Sequence, residues 1–263
     1  MKPWTETHTP KHSKDVAGQD EAIAKIKAYL SAPPKHALLL YGPCGTGKTS
    51  SAHMLGAAMG FDVQEINASD TRNEKGIQAT IGMSLGQQSL LAKKRLILID
   101  EIEGLSGTYD RGGVPSIVKL IERSKHHIIL TSIDIKDRKL KPLLKASTTV
   151  EFAPLGTAAM TARLVTILNA EKIKHLEDDV KMVARRSGGD MRAAINDLQA
   201  ICADGTLSRA DIEIPGERRQ TEKMVQALVK VFKTTDAKVA RGAFNDLAED
   251  LDAIFLWMEY NMP

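Results

Sequence analysis

One octapeptide limits what this chain can fold into more than any other feature: Gly42-Pro43-Cys44-Gly45-Thr46-Gly47-Lys48-Thr49 satisfies G-x-x-x-x-G-K-[ST] in full. Such a loop binds phosphate. Its glycines let the backbone wrap an anion with N–H groups, Lys48 brings a positive charge to the terminal phosphates of ATP, and Thr49 offers a hydroxyl to Mg²⁺. Ser50, the next residue, is counted in the same nucleotide site. The motif requires a strand before it and a helix after it, so that the positive end of the helix dipole faces the phosphates. Both are legible: Ala37 to Tyr41 is a short apolar run, and Thr49 to Met59 has helical character.

About fifty residues on, Leu96-Ile97-Leu98-Ile99 runs into Asp100-Glu101. A buried strand that ends this way delivers Asp100 to the Mg²⁺ shell and Glu101 to a position where it orients or deprotonates an attacking water. Alone the pattern is weak; at this distance behind a phosphate loop it becomes specific. Phe61–Asn67, His127–Thr131 and Thr148–Phe152 also read as strands, and Gln19–Ser31 and Val114–Arg123 read as helices. Strands that are apolar throughout and alternate with helices imply a parallel sheet covered on both faces. The His126-His127 pair fits a polar strand start better than a metal pair.

Pro154 marks a change of character. Beyond it the periodicity is helical only, at Ala158–Asn169, Glu177–Arg186 and Asp190–Ala203, with a Ser187-Gly188-Gly189 break between the last two. Pro215-Gly216 forms a second boundary, with more helix from Thr221. The expected domains are therefore an α/β ATPase domain at 1–153, a helical lid at 154–214, and the first part of a further helical domain at 215–263. Arg192 falls on the first turn of a lid helix, either reaching a γ-phosphate across the interdomain cleft or lying as an ordinary surface arginine.

Composition narrows the partners. The chain has 263 residues, 43% hydrophobic and 26% charged, enough for two domains with a real core. No apolar run is long enough to span a membrane, and the first residues, MKPWTETHTP, lack the apolar stretch of a signal peptide, so a cytoplasmic setting is expected. Cys44 and Cys202 sit in no disulfide or zinc spacing. The net charge is only +3, but Arg72 to Lys145 holds fourteen Lys/Arg against eight Asp/Glu. That basic middle suits nucleic acid or a solvated face.

Taken together, these residues resemble the replication factor C family of clamp loaders, of the AAA+ class, and within it the archaeal large subunit. Pro3-Trp4-Thr5-Glu6, Pro10 and Asp15-Val16-Ala17-Gly18-Gln19 are similar to the family's nucleotide-base segment, which puts Val16 against the base. Glu65-Ile66-Asn67-Ala68-Ser69-Asp70-Thr71-Arg72 resembles its N-A-S-D-x-R stretch. Gly189-Asp190-x-Arg192 with Asn196 and Leu198-Gln199 is similar to its sensor-2 box, which makes Arg192 a γ-phosphate contact. Gly104-Leu105-Ser106-Gly107 leading to Asp110-Arg111-Gly112-Gly113 resembles the large subunit, and Phe255 to Pro263 resembles part of its collar domain.

Two departures qualify the match. The family's sensor-1 asparagine is replaced by Ile133 in Thr131-Ser132-Ile133-Asp134, and its Tyr-Arg-Pro by His8-Thr9-Pro10. Where small subunits carry a Ser-Arg-Cys box whose arginine serves the neighbour's ATP, this chain has Lys145-Ala146-Ser147-Thr148. The resemblance implies an end position in a hetero-pentamer with small subunits, a sliding clamp as partner, and primer–template DNA held through its phosphates. Arg72, Arg111 and Lys119 are DNA candidates, or else solvated charges. Met83, Leu85, Leu90 and Leu91 are candidates for an apolar plug on the clamp, or else core residues. The rival expectations are a subunit that binds ATP without hydrolysing it and another AAA+ remodelling ATPase.

Overall fold

In the computed structural model the described residues are 2–68, 94–106, 113–202, 205–207 and 212. Five strands form one parallel sheet in the order β2-β3-β4-β1-β5: β1 Ala37–Tyr41, β2 Asp62–Asn67, β3 Arg95–Asp100, β4 His127–Ser132 and β5 Ser147–Glu151. Each strand was expected, and each begins or ends within one residue of its apolar run. The register pairs Leu38 with Ile129, Ile99 with Leu130 and Leu40 with Val150.

Alternation along these strands builds two cores. Ala37, Leu39, Ile97, Ile99, Ile128 and Leu130 face one side, where they meet Val114, Ile117 and Ile121 of the helix Gly113–Arg123. Leu38, Leu40, Leu96, Leu98 and Ile129 face the other, against Ile23, Ile26 and Leu30 of the helix Asp20–Ser31 and Ala52 and Leu55 of the helix Lys48–Ala58. Period two thus fixes where polar strand ends point: Asp100 and Thr131 continue the second set, toward the phosphate-loop helix.

Beyond Phe152 come the helices Thr157–Ala170, Glu177–Arg186 and Met191–Ile201. Met160, Leu164, Ile167 and Leu168 repeat at three- and four-residue steps and are all fully buried, as are Val180, Ala194 and Leu198. The chain divides into two units, Met1–Ser208 and Arg209–Pro263. The expected collar helices, and Arg72, Arg111, Met83, Leu85, Leu90 and Leu91, lie outside the described residues. No helix among the described residues is long and apolar enough to cross a membrane.

The loop that follows β1 starts in a tight place. The Gly42 N–H donates to the Ser132 carbonyl, and at φ 146° a Cβ on Gly42 would lie 2.0 Å from the Phe152 carbonyl oxygen. A backbone clash of that kind cannot be relieved by a side-chain rotation. Gly42→Ala is therefore expected to destabilise the fold by about 2–3 kcal/mol, or roughly 5–10 °C in Tm. Thermal denaturation followed by circular dichroism checks this, and an unshifted melt would show that the β5 end yields.

Candidate functional site

Strand order places β1 where successive connections diverge to opposite sides of the sheet, and ligands of open α/β sheets bind outside the carboxyl ends of the strands at that point. Here Gly47, in the left-handed conformation at φ 95°, turns the loop into the helix Lys48–Ala58. The Lys48 ammonium folds back and donates to the carbonyls of Gly42 at 2.6 Å and Pro43 at 2.8 Å, and the Thr46 hydroxyl also donates to Pro43. Burial pushes the Lys48 pKa below its ordinary value, and the charge of Arg192 pushes the same way, while Cys44, Glu103 and Asp100 partly offset them. Two cations thus share one cleft, a disposition that an entering polyanion relieves.

The Thr49 hydroxyl donates to Asp100 Oδ1 at 2.9 Å, so the two residues expected to hold a cation meet. Thr131 also donates to Asp100 Oδ1, and its oxygen accepts the Glu101 N–H at 3.1 Å. Glu101 is one of two non-glycine residues with positive φ among the described residues, at 56°. That backbone costs about 1–2 kcal/mol, and it is held at both ends: the Glu101 carbonyl accepts from Gly104, which opens the turn Ile102–Ser106. An oxygen-only donor set of one carboxylate and one hydroxyl fits Mg²⁺, which keeps waters and phosphate oxygens as its other ligands. No group of three His, Cys, Asp or Glu able to hold a metal occurs among the described residues. His127 opens β4 with its Nε2–H on the Ala32 carbonyl, as a polar strand start should.

The lid closes on the loop directly. Asp190 caps the helix Met191–Ile201 by accepting the Ala193 N–H at 2.8 Å, and the Met191 N–H donates to Gly45 O at 3.1 Å. Gly45 is packed so closely that a Cβ would sit 1.7 Å from Asp190 Oδ1. Arg192, exposed on this helix, lines the same cleft as Cys44 to Ser50, Asp100 and Glu101. Ile133, at the sensor-1 position, is 47% exposed there, with its N–H on Glu103 Oε1.

The N-terminal segment forms another wall, with Thr5, His8, Pro10 and Val16 lining the cleft and the Val16 side chain 3.5 Å from where a Gly47 Cβ would stand. Lid residues hold this segment. Arg163 donates to the His8 carbonyl at 2.9 Å and pairs with Asp15 at 3.5 Å; His8 Nε2 meets Glu171 at 2.6 Å; Gln199 accepts the Trp4 N–H. Burial alone would raise the Asp15 pKa, but the N–H groups of His12 and Lys11 and the Arg163 charge outweigh it and hold the carboxyl below its ordinary value. Thr131, Glu103, Asp190, Arg163 and Glu171 were not singled out in the sequence as site residues. Thr131 left a signal, a polar residue at the carboxyl end of an apolar strand, and Asp190 stood in the box that carries Arg192. Lys119 is exposed on the helix Gly113–Arg123, and Lys145, also exposed, ends the short helix Lys141–Lys145 ahead of β5.

Known proteins agree with this geometry. The chain is 40% identical over 260 residues to the replication factor C large subunit of Nanoarchaeum equitans, covering 97% of this chain and 60% of that protein. It is 35% identical to that of Methanococcus vannielii, covering 100% and 54%, and 34% identical to that of Staphylothermus marinus, covering 99% and 63%. It therefore spans between half and two thirds of these relatives' length. Residues 38–185, from the start of β1 into the lid, match the profile of the ATPase family associated with various cellular activities (AAA). Since that match takes in more than half the chain, including the phosphate loop and the carboxyl ends of β3 and β4, the chain belongs to the AAA family of ATPases, and it is similar to archaeal replication factor C large subunits.

Proposed function

We propose that this chain is the ATP-binding portion of a clamp-loader large subunit, which binds and opens a sliding clamp and loads it onto primer–template DNA. The observation that carries the reading is an asymmetry. Lys48, Thr49, Asp100, Glu101 and Arg192 converge on one cleft, whereas Lys145 to Thr148 offers no arginine to a neighbour. Such a chain receives a trans arginine and cannot lend one. It belongs at one end of an open arc of small subunits.

The reaction is transfer of the γ-phosphoryl group of ATP to water. The water oxygen bonds to phosphorus as the bridging P–O bond to ADP breaks, and Glu101 orients the water and accepts its proton. Lys48 and Arg192 neutralise the charge that develops on the phosphoryl oxygens, and the positioned N–H groups of the loop do the same. Thr49 and Asp100 would hold Mg²⁺, which would supply further charge stabilisation. Val16 and the residues around His8 and Pro10 face the base. DNA runs against basic side chains, of which Lys119 is exposed on its helix and Arg72 and Arg111 are further candidates. The segment with Met83, Leu85, Leu90 and Leu91 meets the clamp. The setting is cytoplasmic, beside the nucleoid.

A second reading, a subunit that binds ATP without hydrolysing it, draws on the hydrocarbon of Ile133 in the cleft. Co-purification with a candidate small subunit and clamp, with primed DNA added, tests the assignment. A stable complex is expected, and failure to form one with any small subunit would remove it.

A further inference from the structure

We propose that Thr131 is a positioning residue that sets both acidic groups of the cleft, and that it supplies from β4 the polar control which Ile133 cannot. This rests on the ATPase reading above. Register brings the two strands' ends together. β3 and β4 pair up to Ile99 and Leu130, so the next residues along are Asp100 and Thr131. Both continue the alternation that faces the helix Lys48–Ala58.

The proton order follows from the groups. A carboxylate only accepts, so the single hydroxyl hydrogen of Thr131 goes to Asp100 Oδ1, and its oxygen is left to take the Glu101 N–H at 3.1 Å. Thr131 is 1% exposed, so no water competes for either bond. The relay Glu101 N–H to Thr131 O–H to Asp100 carboxylate couples the two acids through one side chain. Thr49 donates to the same oxygen, Oδ1, at 2.9 Å. With two hydroxyls on Oδ1, Oδ2 would be the carboxylate oxygen left for a hydrated cation. At its other end the relay holds Glu101 at φ 56°, a conformation a glutamate does not adopt unaided, and so fixes where its carboxylate enters the cleft. Ile133, two residues further on, has no group that could do either task.

Thr131→Val keeps the shape and removes the hydroxyl; Thr131→Ser keeps the hydroxyl. Three readouts on the folded variants separate the possibilities. The first is affinity for a fluorescent ATP analogue in EDTA, the second is the gain in that affinity on adding Mg²⁺, and the third is the single-turnover hydrolysis rate with the small subunit present. For Thr131→Val the affinity in EDTA is expected to stay within about twofold. The Mg²⁺ gain should shrink at least ~5-fold and the hydrolysis rate fall at least ~10-fold, the scale for losing one buried hydrogen bond to a charged group. Thr131→Ser is expected to restore both to within about threefold. A valine variant with the wild-type Mg²⁺ gain and rate overturns the proposal. So does a serine variant as impaired as valine, which would make the role one of packing. If valine does not fold, the serine variant decides the matter by the same two readouts. Wild-type chain that binds no nucleotide in Mg²⁺ would instead overturn the ATPase reading itself.

Discussion

Lys48→Ala is expected to remove most of the affinity for ATP while leaving the melting temperature nearly where it was. Among the described residues the ammonium is satisfied by the Gly42 and Pro43 carbonyls, on a partly exposed loop, so its loss costs the fold less than about 1 kcal/mol. Burial is what pushes its pKa down, so a neutral side chain there also removes the cost of burying a charge. In the bound state the balance reverses. A charge-assisted contact to phosphate is worth about 1.5–3 kcal/mol, and with more than one phosphate oxygen in reach the expected loss is ~100-fold or more in affinity. Calorimetric titration beside a thermal melt measures both. Unchanged affinity would remove the phosphate-loop assignment, and a collapsed melt would mean that the lysine is part of the loop's own structure.

Glu101→Gln separates hydrolysis from binding. The amide keeps the size of the side chain, and the backbone bonds to Thr131 and Gly104 do not depend on the carboxylate. What is lost is the base that takes the water's proton, a contribution of about 10²–10⁴-fold to the rate. The variant is expected to bind ATP normally and to trap it in the assembled complex, with the turnover at this site down by at least ~100-fold. Single-turnover hydrolysis under conditions that isolate this site provides the check. If the rate is the same in both, the site was already silent, and the non-hydrolysing reading favoured by Ile133 takes its place.

The centre of the sheet could be read from the sequence because β1, β3 and β4, buried on both faces, are short apolar runs bounded by polar or turn residues, while the edge strands β2 and β5 are mixed and only partly buried. Leu96 to Ile99 is apolar at every position and its flanks are Arg95 and Asp100. The short elements escaped because they span less than two turns: Trp4–Thr7, Ser13–Asp15 and Lys141–Lys145 have no period to detect. The phosphate loop, Asp100, Glu101 and Arg192 were visible as motifs, since their spacing is local. The residues that arrange them were not. Thr131 reaches Asp100 across 31 residues, Arg163 reaches Asp15 across 148, and Trp4 reaches Gln199 across 195. Such pairs follow from strand register and helix docking, which no window along one chain contains.

The lid contacts give that non-local layer a consequence for function. The Gly45 carbonyl accepts the Met191 N–H, and Asp190 leaves no room for a Cβ at Gly45, so the phosphate loop and the helix that carries Arg192 are in direct contact. The N-terminal wall is held by lid residues, Arg163, Glu171 and Gln199, and should move with them. On the proposed reading, nucleotide would therefore meet three walls that touch one another, the N-terminal segment, the phosphate loop and the helix of Arg192.

The proposed asymmetry is directional: a cleft that gathers Lys48, Thr49, Asp100, Glu101 and Arg192 would still take an arginine from a neighbour. It is tested most directly by measuring the ATPase rate of the chain alone over a range of concentrations, and then while a small subunit carrying its own arginine is titrated in. The account predicts a flat, near-zero rate for the chain by itself, with no active homo-oligomer, and a rate that rises and saturates with the small subunit. An ATPase that grows with the concentration of this chain alone would contradict it.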